Sequence, residues 1–523
     1  MRSVVLSGFM ATGKSTVGPM LAGRLGVPFV DTDTEIERET GKGIPELWRE
    51  EGEAGFRVRE ARVVESVLSR AEPQVVSFGG GAVTTARARR FAIDHALVVT
   101  LTASPETVVA RVPDLEARPN LRGDDPVGRA RDLIDQRREA YAECHLSLSS
   151  DALEPGAIVD AIVALQARDP LLVPLGSRSY CIDVCDDEPA RLTDAIARAA
   201  PSSLVLVTDS NVKRARGAAI ELSLHPFPFA GTRVVLPPGE GYKTLTSIST
   251  IWDAALGAGV DREAVVLAAG GGVIGDMAGF AAATLLRGVR FVQVPTTLLS
   301  MVDASVGGKT GFDHPVGKNL LGAFHQPSAV VVDLAHLSTL PARERTSGLA
   351  EVVKIAITND AGLLELVERD AAALARGDHG ALRPVVRRAI EAKIHVVRDD
   401  ERESGARALL NLGHTLGHAL EAHGGYTRYL HGEAVALGLV QELRATATMG
   451  WTPRALVERI ERLLRVLGLP TEVPRAEVVS AWPFVSADKK RTRDHVRLPV
   501  ATGEGRARIE KVRIADLERA VVG

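Results

Sequence analysis

The sequence predicts an α/β protein in three successive parts: a parallel sheet flanked by helices, a second α/β layer, and an all-α C-terminal part. Three observations predict it. Short apolar runs alternate with charged helical stretches up to about Ala164, which is the pattern of a parallel sheet. A stretch with two prolines and a glycine, QARDPLLVPLGSRSY, then leads into further apolar runs. Beyond about Pro341 the pattern turns helical almost throughout, to roughly Leu467.

In the first part, Ser3–Ser7, Val75–Phe78 and Leu97–Leu101 read as buried strands. Lys14–Leu25, Gly55–Ser69 and Val127–Glu143 read as helices, and Ala157–Leu165 is the last periodic stretch before the break. Leu204–Val207, Ala264–Ala269 and Arg290–Val294 are the buried strands of the second part. The expected domains are 1–165, a linker over 166–175, an α/β domain over 176–340 and a helical domain over 341–523. No fixed-period repeat or low-complexity tract interrupts them.

Length agrees, since 523 residues fit two or three domains. With 63 basic and 66 acidic residues the net charge is −3, which argues against a duplex-coating or membrane-surface protein. No nucleic-acid or membrane partner is expected. Only Cys144, Cys181 and Cys185 are present, so no disulfide framework is expected and the chain reads as intracellular. The N-terminal apolar run is short, and no stretch approaches the roughly 20 apolar residues of a bilayer span. A cytoplasmic location is expected.

The segment Gly8-Phe-Met-Ala-Thr-Gly13-Lys14-Ser15 is a full G-x-x-x-x-G-K-[ST] match between a strand and a helix. Its backbone N–H groups can cradle phosphates, Lys14 reaches the β/γ oxygens, and the Ser15 hydroxyl can hold Mg²⁺. This motif indicates a nucleoside triphosphate and leaves the phosphoryl acceptor open. Asp31 and Asp33 end the second apolar run, and Gly79–Gly81 follow another strand. They therefore sit at the carboxyl ends of strands, where open sheets bind ligands. Together with Arg57, Arg118 and Arg137 they suit a small anionic polyhydroxy acceptor, because arginine grips carboxylates bidentately and aspartate holds hydroxyls.

These residues resemble shikimate kinase over positions 1 to about 165. The resemblance rests on the phosphate loop, the D-x-D pair, Glu53 with Arg57 in GEAGFR, the G-G-G turn, Arg118 in RPNL, and Arg137 four residues before Tyr141. It implies a P-loop kinase domain that phosphorylates shikimate from ATP with Mg²⁺. By that resemblance Asp33, Arg57, Gly80 and Arg137 hold shikimate. Gly8, Gly13, Lys14, Ser15, Thr16 and Arg118 bind ATP. Lys14 and Arg118 stabilise the transferring group, Ser15 and Asp31 serve Mg²⁺, and Arg111 lies near adenine.

In the second part, Gly270-Gly-Gly272-Val-Ile-Gly275 is a G-x-G-x-x-G between strand and helix. The acidic residue usual about 20 positions later is missing, because that region reads RFVQVPTT. An ordinary dinucleotide dehydrogenase is disfavoured, although Asp209 in VTDSNV can hold a ribose. Histidines gather in NLGHTLGHALEAHGGYTRYLHGEA. His414 and His418, four apart, share a helix face and read as a zinc pair whose acidic third ligand comes from elsewhere. Glu351 in SGLAEVVK is available. Lys309, Lys318, Lys354 and Lys393, two of them beside glycines, suggest a phosphate-bearing substrate.

Four long segments resemble 3-dehydroquinate synthase from about Pro174 to Gly523: GGGVIGDMAGFAAA, RGVRFVQVPTTLLSMVDASVGGKTGFDHPVGKNLLGAFHQP, SGLAEVVK and ALLNLGHTLGHALE. The resemblance implies a Rossmann-like α/β domain followed by a helical domain. It implies NAD⁺ used transiently, a divalent metal (Zn²⁺ or Co²⁺), and conversion of 3-deoxy-D-arabino-heptulosonate 7-phosphate to 3-dehydroquinate and phosphate. The metal ligands become Glu351, His414 and His431, and His418 becomes an acid/base residue. Asp209, Asn211, Glu240, Lys243, Gly271, Gly272, Asp276, Thr296, Thr297, Lys309 and Lys318 would bind NAD⁺. Arg287, Asp303, Lys309, Asn319, Lys354, Lys393, Arg407, Asn411, His418 and Lys490 would bind substrate. Of these, Lys309, Lys354, Arg407, Asn411 and His418 would be catalytic. A homodimer through this part is implied as well. The whole chain then reads as two shikimate-pathway enzymes joined. The alternatives are a regulatory nucleotide-binding first domain beside a sole synthase, or a sister sugar-phosphate cyclase.

Overall fold

The computed structural model describes all residues except 116, 117, 119, 228–230, 486–490 and 493; the predicted substrate residue Lys490 lies outside the described residues. The chain divides into two compact units, Met1–Asp183 and Val184–Gly523.

The first unit holds five parallel strands: β1 (Ser3–Ser7), β2 (Phe29–Asp31), β3 (Val75–Ser77), β4 (Ala96–Thr102) and β5 (Leu146–Ser149). They are ordered β2-β3-β1-β4-β5. Parallel sheets need both faces covered. Accordingly Val5, Val76 and Val98 pack with Phe56, Val64 and Phe78 on one face. Val4, Leu6 and Val99 pack with Val17, Leu21 and Ile162 on the other. The helices that matter to the site are α1 (Lys14–Leu25), α2 (Thr32–Thr40) and α3 (Ile44–Leu68). The helix read as Gly55–Ser69 is the second of two helical stretches within α3, which break at Gly52, where φ is 67° and ψ is 177°. The helix read as Val127–Glu143 is two, Pro126–Gln136 and Arg138–Ala142. Between them Arg137 leaves helical geometry at φ −99°, ψ 2°.

The stretch expected as linker, 166–175, is ordered. Its helix runs to Arg168 and Leu171–Val173 is a strand paired with Tyr180–Ile182. Side chains hold it to the first unit: Gln166 donates to the Arg2 carbonyl, and Arg2 donates to Asp169 and the Pro170 carbonyl.

The second unit contains β6 (Leu204–Asp209), β7 (Thr232–Leu236), β8 (Val265–Gly270), β9 (Arg290–Pro295) and β10 (Ala329–Asp333). They run parallel in the order β10-β9-β8-β6-β7. The chain steps from β6 outward to β7 and then back past β6 to β8. That reversal opens a crevice at the carboxyl ends of β6 and β8, the general ligand position of such sheets. The helices that start there are α4 (Ser210–Leu224) and α5 (Gly272–Thr284).

The helical part supplies α6 (Ala342–Asn359), α7 (His379–Asp399), α8 (His414–His423) and α9 (His431–Thr448). It is not all-α. His495–Gly503 and Arg506–Arg513 form an antiparallel hairpin. Val496, Leu498 and Val500 alternate into the core beside Trp482, a period-two signal that the helical reading passed over. Among the described residues no helix is long and apolar enough to cross a membrane.

Candidate active sites

In the first unit the phosphate loop turns between β1 and α1. Gly8 and Gly13 sit at φ 134° and 95°, conformations that side chains rarely adopt. The Lys14 ammonium is buried and donates to the carbonyls of Gly8 (2.8 Å) and Phe9 (2.7 Å). Burial pulls its pKa down to about 8, against the pull of Asp33 and Asp31. Ser15 and Thr16 are exposed beside it, at the helix N-terminus.

Asp31 ends β2 and caps α2, accepting N–H bonds from Asp33 and Thr34. Burial, with the charge of Asp31, raises the Asp33 pKa. The Gly79–Gly81 turn brings the remaining groups together. Arg137 (3.1 Å) and the Tyr141 hydroxyl (2.5 Å) both donate to the Gly80 carbonyl. A Cβ on Gly79 would stand 2.6 Å from an Asp33 oxygen, and one on Gly81 would stand 2.2 Å from Arg57. Arg57 is braced by Trp48 and Phe56 and donates to Glu60 at 2.6 Å. Glu60, which sequence reading missed, is buried, and burial raises its pKa to about 7 despite Arg57. Its place in α3 is one of many helical glutamates, so no sequence signal marks it.

Arg118 is exposed in the loop before Pro126–Gln136. Arg111 donates to the hydroxyl and carbonyl of Ser150 and to the Ala11 carbonyl of the phosphate loop.

The lowered Lys14 pKa predicts a pH limit. Since kcat/KM reports the free enzyme, its value for Mg·ATP is expected to fall about tenfold per pH unit above about 8. A Lys14→Arg variant that retains turnover should lack this limb, because guanidinium stays charged.

In the second unit Glu351, His414 and His431 converge, their ligand atoms all within 4.8 Å of one another. Glu351 Oε1 lies 3.6 Å from His414 Nε2 and 3.4 Å from His431 Nε2. These residues come from α6, α8 and α9, and close helix contacts bring them together. A Cβ on Gly432, next to His431, would stand 1.8 Å from the Ser347 carbonyl of α6. Gly432→Ala is therefore expected to lower stability by about 1–3 kcal/mol and to weaken metal retention, read by thermal unfolding and metal analysis.

The Glu351 carboxylate is fully buried, and neither oxygen finds a hydrogen bond of ordinary geometry among the described residues. Lys354 forms an ion pair with it. Burial would raise its pKa, but Lys354 and His431 hold it low. A buried carboxylate whose close neighbours are a lysine and two imidazoles suits a cation ligand. The outer nitrogens are engaged elsewhere: His414 Nδ1 with the Leu412 carbonyl at 3.2 Å, and His431 Nδ1 with Glu421 at 3.3 Å. That leaves both Nε2 atoms for a metal, the usual outer-shell pattern. Two imidazoles and one carboxylate fit Zn²⁺ or Co²⁺. His418 is exposed, with its ring 5.1 Å from His414 and 6.0 Å from His431.

Around this cluster the cations are paired with acids. Lys393 meets Asp303, Lys309 meets Glu403, and Lys243 meets Asp276 (2.7 Å) and Asn319 (2.6 Å). Lys318 lies 3.3 Å from Glu240 and 3.4 Å from Glu421. Arg407 donates to the carbonyls of Gly307 and Glu401, and Asn411 donates to Glu403. Burial lowers the Lys393 pKa to about 8 despite Asp303. Burial would raise the Asp303 pKa, but Lys393 and Lys354 hold it well below the usual carboxylate range. Glu403 and Glu421 were missed by the sequence reading. Glu421 does stand in the quoted HTLGHALE segment, three residues after His418, so helical spacing from the histidines was the available signal.

The dinucleotide candidates collect at the sheet crevice. Asp209 ends β6 and caps α4 through Asn211 and Val212. Gly271 and Gly272 join β8 to α5, and Thr296 and Thr297 follow β9. A Cβ on Gly271 would stand 3.1 Å from the Thr297 side chain, so a larger residue there would crowd the turn. The residues fit a dinucleotide pyrophosphate at the α5 N-terminus.

Arg287 stands in a turn of its own within this single chain. Thirteen-residue α5 carries the chain away from Gly271 before the exposed turn that bears Arg287, a run of about 20 Å at 1.5 Å per residue.

Comparisons with known proteins cover both units. Residues 10–166 match the family model of shikimate kinase. Residues 233–347 and 348–491 match those of the 3-dehydroquinate synthase N-terminal and C-terminal parts. A 3-dehydroquinate synthase of Citrifermentans bemidjiense is 46% identical over 346 residues, 66% of this chain and 95% of that one. The structure of a 2-epi-5-epi-valiolone synthase from Streptomyces hygroscopicus with NAD⁺ and Zn²⁺ bound is 30% identical. It covers 66% of this chain and 96% of its own, with a TM-score of 0.60. A shikimate kinase from Acinetobacter baumannii in complex with shikimate is 36% identical, covering 32% of this chain and 94% of its own with a TM-score of 0.31. The chain thus belongs to the 3-dehydroquinate synthase family in its larger part and carries a shikimate kinase domain in its first.

Proposed function

We propose that this one chain catalyses two reactions: phosphorylation of shikimate by Mg·ATP, and conversion of 3-deoxy-D-arabino-heptulosonate 7-phosphate to 3-dehydroquinate and phosphate. The observation that carries the reading is the Glu351–His414–His431 cluster ringed by paired lysines, in a chain that opens with a phosphate loop beside an Arg/Asp cradle.

In the kinase, Lys14 leaves its own loop carbonyls to meet the β/γ-phosphates, with Arg118 on the transferring group. Gly8, Gly13, Ser15 and Thr16 hold the nucleotide, and Ser15 with Asp31 would hold Mg²⁺. Arg57, Arg137 and the Gly80 backbone grip the shikimate carboxylate and ring. Asp33 orients the attacking hydroxyl, and its raised pKa makes it a competent proton acceptor.

In the synthase, Glu351, His414 and His431 would hold Zn²⁺ or Co²⁺. Asp209, Asn211, Glu240, Lys243, Gly271, Gly272, Asp276, Thr296, Thr297 and Lys318 would hold NAD⁺. NAD⁺ would supply a hydride acceptor and donor there, and the metal a Lewis acid for the substrate oxygen. Lys309, Lys354, Lys393 and Arg407 exchange their acidic or carbonyl partners for the anionic substrate, and Asn319, which accepts from Lys243, binds it as well. Asn411 and Asp303 orient its hydroxyls. His418, exposed at the mouth of the cluster, takes and returns a proton at its imidazole. A homodimer through the synthase part and a cytoplasmic location belong to this reading.

Two assays on one purified chain test it: shikimate-dependent ADP formation, and heptulosonate-phosphate-dependent phosphate release at catalytic NAD⁺. Net NADH accumulation with an alcohol would replace the synthase by a dehydrogenase. Turnover of another sugar phosphate alone would make it a sister cyclase. Bound ATP without shikimate turnover would leave a regulatory first domain.

A further inference from the structure

The Glu421 carboxylate is divided between two neighbours, one from each subsite of the proposed synthase. It is buried on α8, only 4% exposed. Its Oε2 faces His431 Nδ1 at 3.3 Å, and its Oε1 faces Lys318 Nζ at 3.4 Å. Lys318 belongs to the strand Gly317–Phe324, a hairpin of the α/β part. The same ammonium lies 3.3 Å from Glu240 and 4.3 Å from the centroid of the Tyr426 ring. Tyr426 is in turn held by its N–H bond to the Glu421 carbonyl, 2.8 Å. His418, Glu421 and His431 also approach within 4.8 Å, but that grouping uses the same ring as the first cluster and offers no independent metal position.

We propose that Glu421 is a positioning residue that couples the metal and NAD⁺ subsites, by holding metal ligand His431 with one oxygen and Lys318 with the other. The inference rests on the function proposed above. Its sign follows from charge. While Lys318 occupies Oε1, part of the carboxylate charge is spent on the ammonium. When Lys318 turns to the cofactor phosphates, that charge falls on the Nδ1–H of His431 and makes Nε2 a better ligand. Cofactor binding therefore tightens the metal, and by reciprocity the metal tightens NAD⁺. Because one carboxylate serves both, no conformational change beyond the lysine is required.

The experiment is a zinc competition against a chromophoric chelator, using the full chain stripped of metal, with and without saturating NAD⁺. The wild type is expected to hold zinc at least about fivefold more tightly with NAD⁺. Glu421→Gln is expected to bind zinc about 10–100-fold more weakly and to lose the NAD⁺ effect. Lys318→Met is expected to be equally insensitive to NAD⁺ while keeping tight zinc, since nothing then competes for Oε1. A merely structural role for Glu421 would not make zinc affinity answer to Lys318. Undiminished NAD⁺ dependence in either variant overturns the proposal, as does its absence from a wild type that binds both ligands. A wild type that binds neither zinc nor NAD⁺ overturns the synthase reading itself. An unchanged circular dichroism spectrum and thermal transition show that the synthase unit of each variant is folded, and retained shikimate kinase turnover shows the same of the first unit.

Discussion

Lys14→Ala is expected to reduce shikimate-dependent ADP formation about 10³-fold or more. Phosphate release from the heptulosonate phosphate should stay within about twofold. Lys14 is the buried cation of the phosphate loop, and its ammonium bonds two neutral partners, the Gly8 and Phe9 carbonyls. It is thus available to the charge that develops on the transferring group. Losing one preorganised donor to such charge costs about 10²–10³ in kcat, and here the donor is also charged and desolvated. The protein itself should tolerate the change. The burial that depresses the Lys14 pKa makes the charged form a burden when no phosphate is present, so Lys14→Met should match or exceed wild-type stability. The intact second reaction serves as an internal measure of the protein assayed, because its residues belong to the other compact unit; an unchanged circular dichroism spectrum shows that the first unit is folded. Wild-type kinase turnover in Lys14→Ala would remove the phosphate-loop mechanism.

The second large effect is expected at Glu351. Glu351→Gln keeps the shape and removes the charge. Dehydroquinate formation should fall about 10³-fold or more, with loss of bound metal on dialysis, while kinase turnover persists. Two effects act together. A neutral amide is a poor ligand for a hard divalent ion, and the site is left with two imidazoles. Lys354, itself fully buried, loses its ion-pair partner, and leaving a buried charge uncompensated costs about 3–5 kcal/mol. The synthase unit should therefore also be less stable, and Glu351→Gln/Lys354→Met should restore stability without restoring activity. Metal retained at wild-type affinity in Glu351→Gln would show that the carboxylate is not a ligand.

The two sites differ in how far the sequence exposed them. The phosphate loop is contiguous, its conformation is set by Gly8 and Gly13, and the strand before it and helix after it are local features. Ser3–Ser7 and Lys14–Leu25 accordingly appear with the boundaries read from the sequence. Spacing along one helix suggested His414 with His418, whereas the cluster with Glu351 takes His431 from a different helix. Periodicity cannot show this, because the contact depends on how closely α9 approaches α6, and Gly432 allows that approach. The hairpin at His495–Arg513 was lost for a related reason: its alternation is short and follows a long helical run.

By itself the sequence determined the chemical inventory: a phosphate loop, a G-x-G-x-x-G turn, histidines with an available glutamate, and lysines in a nearly neutral chain. It also determined the order of the layers, because hydrophobic period and glycine turns act over a few residues. Only the tertiary structure decided which acid faces which cation. Glu60, Glu403 and Glu421 are ordinary glutamates in the sequence; Glu60 and Glu421 become site residues through burial beside Arg57 and beside Lys318 and His431, and Glu403 through its ion pair with Lys309. The reason is electrostatic: a carboxylate matters to a site according to the charges it meets where water is excluded, and those charges come from distant parts of the chain.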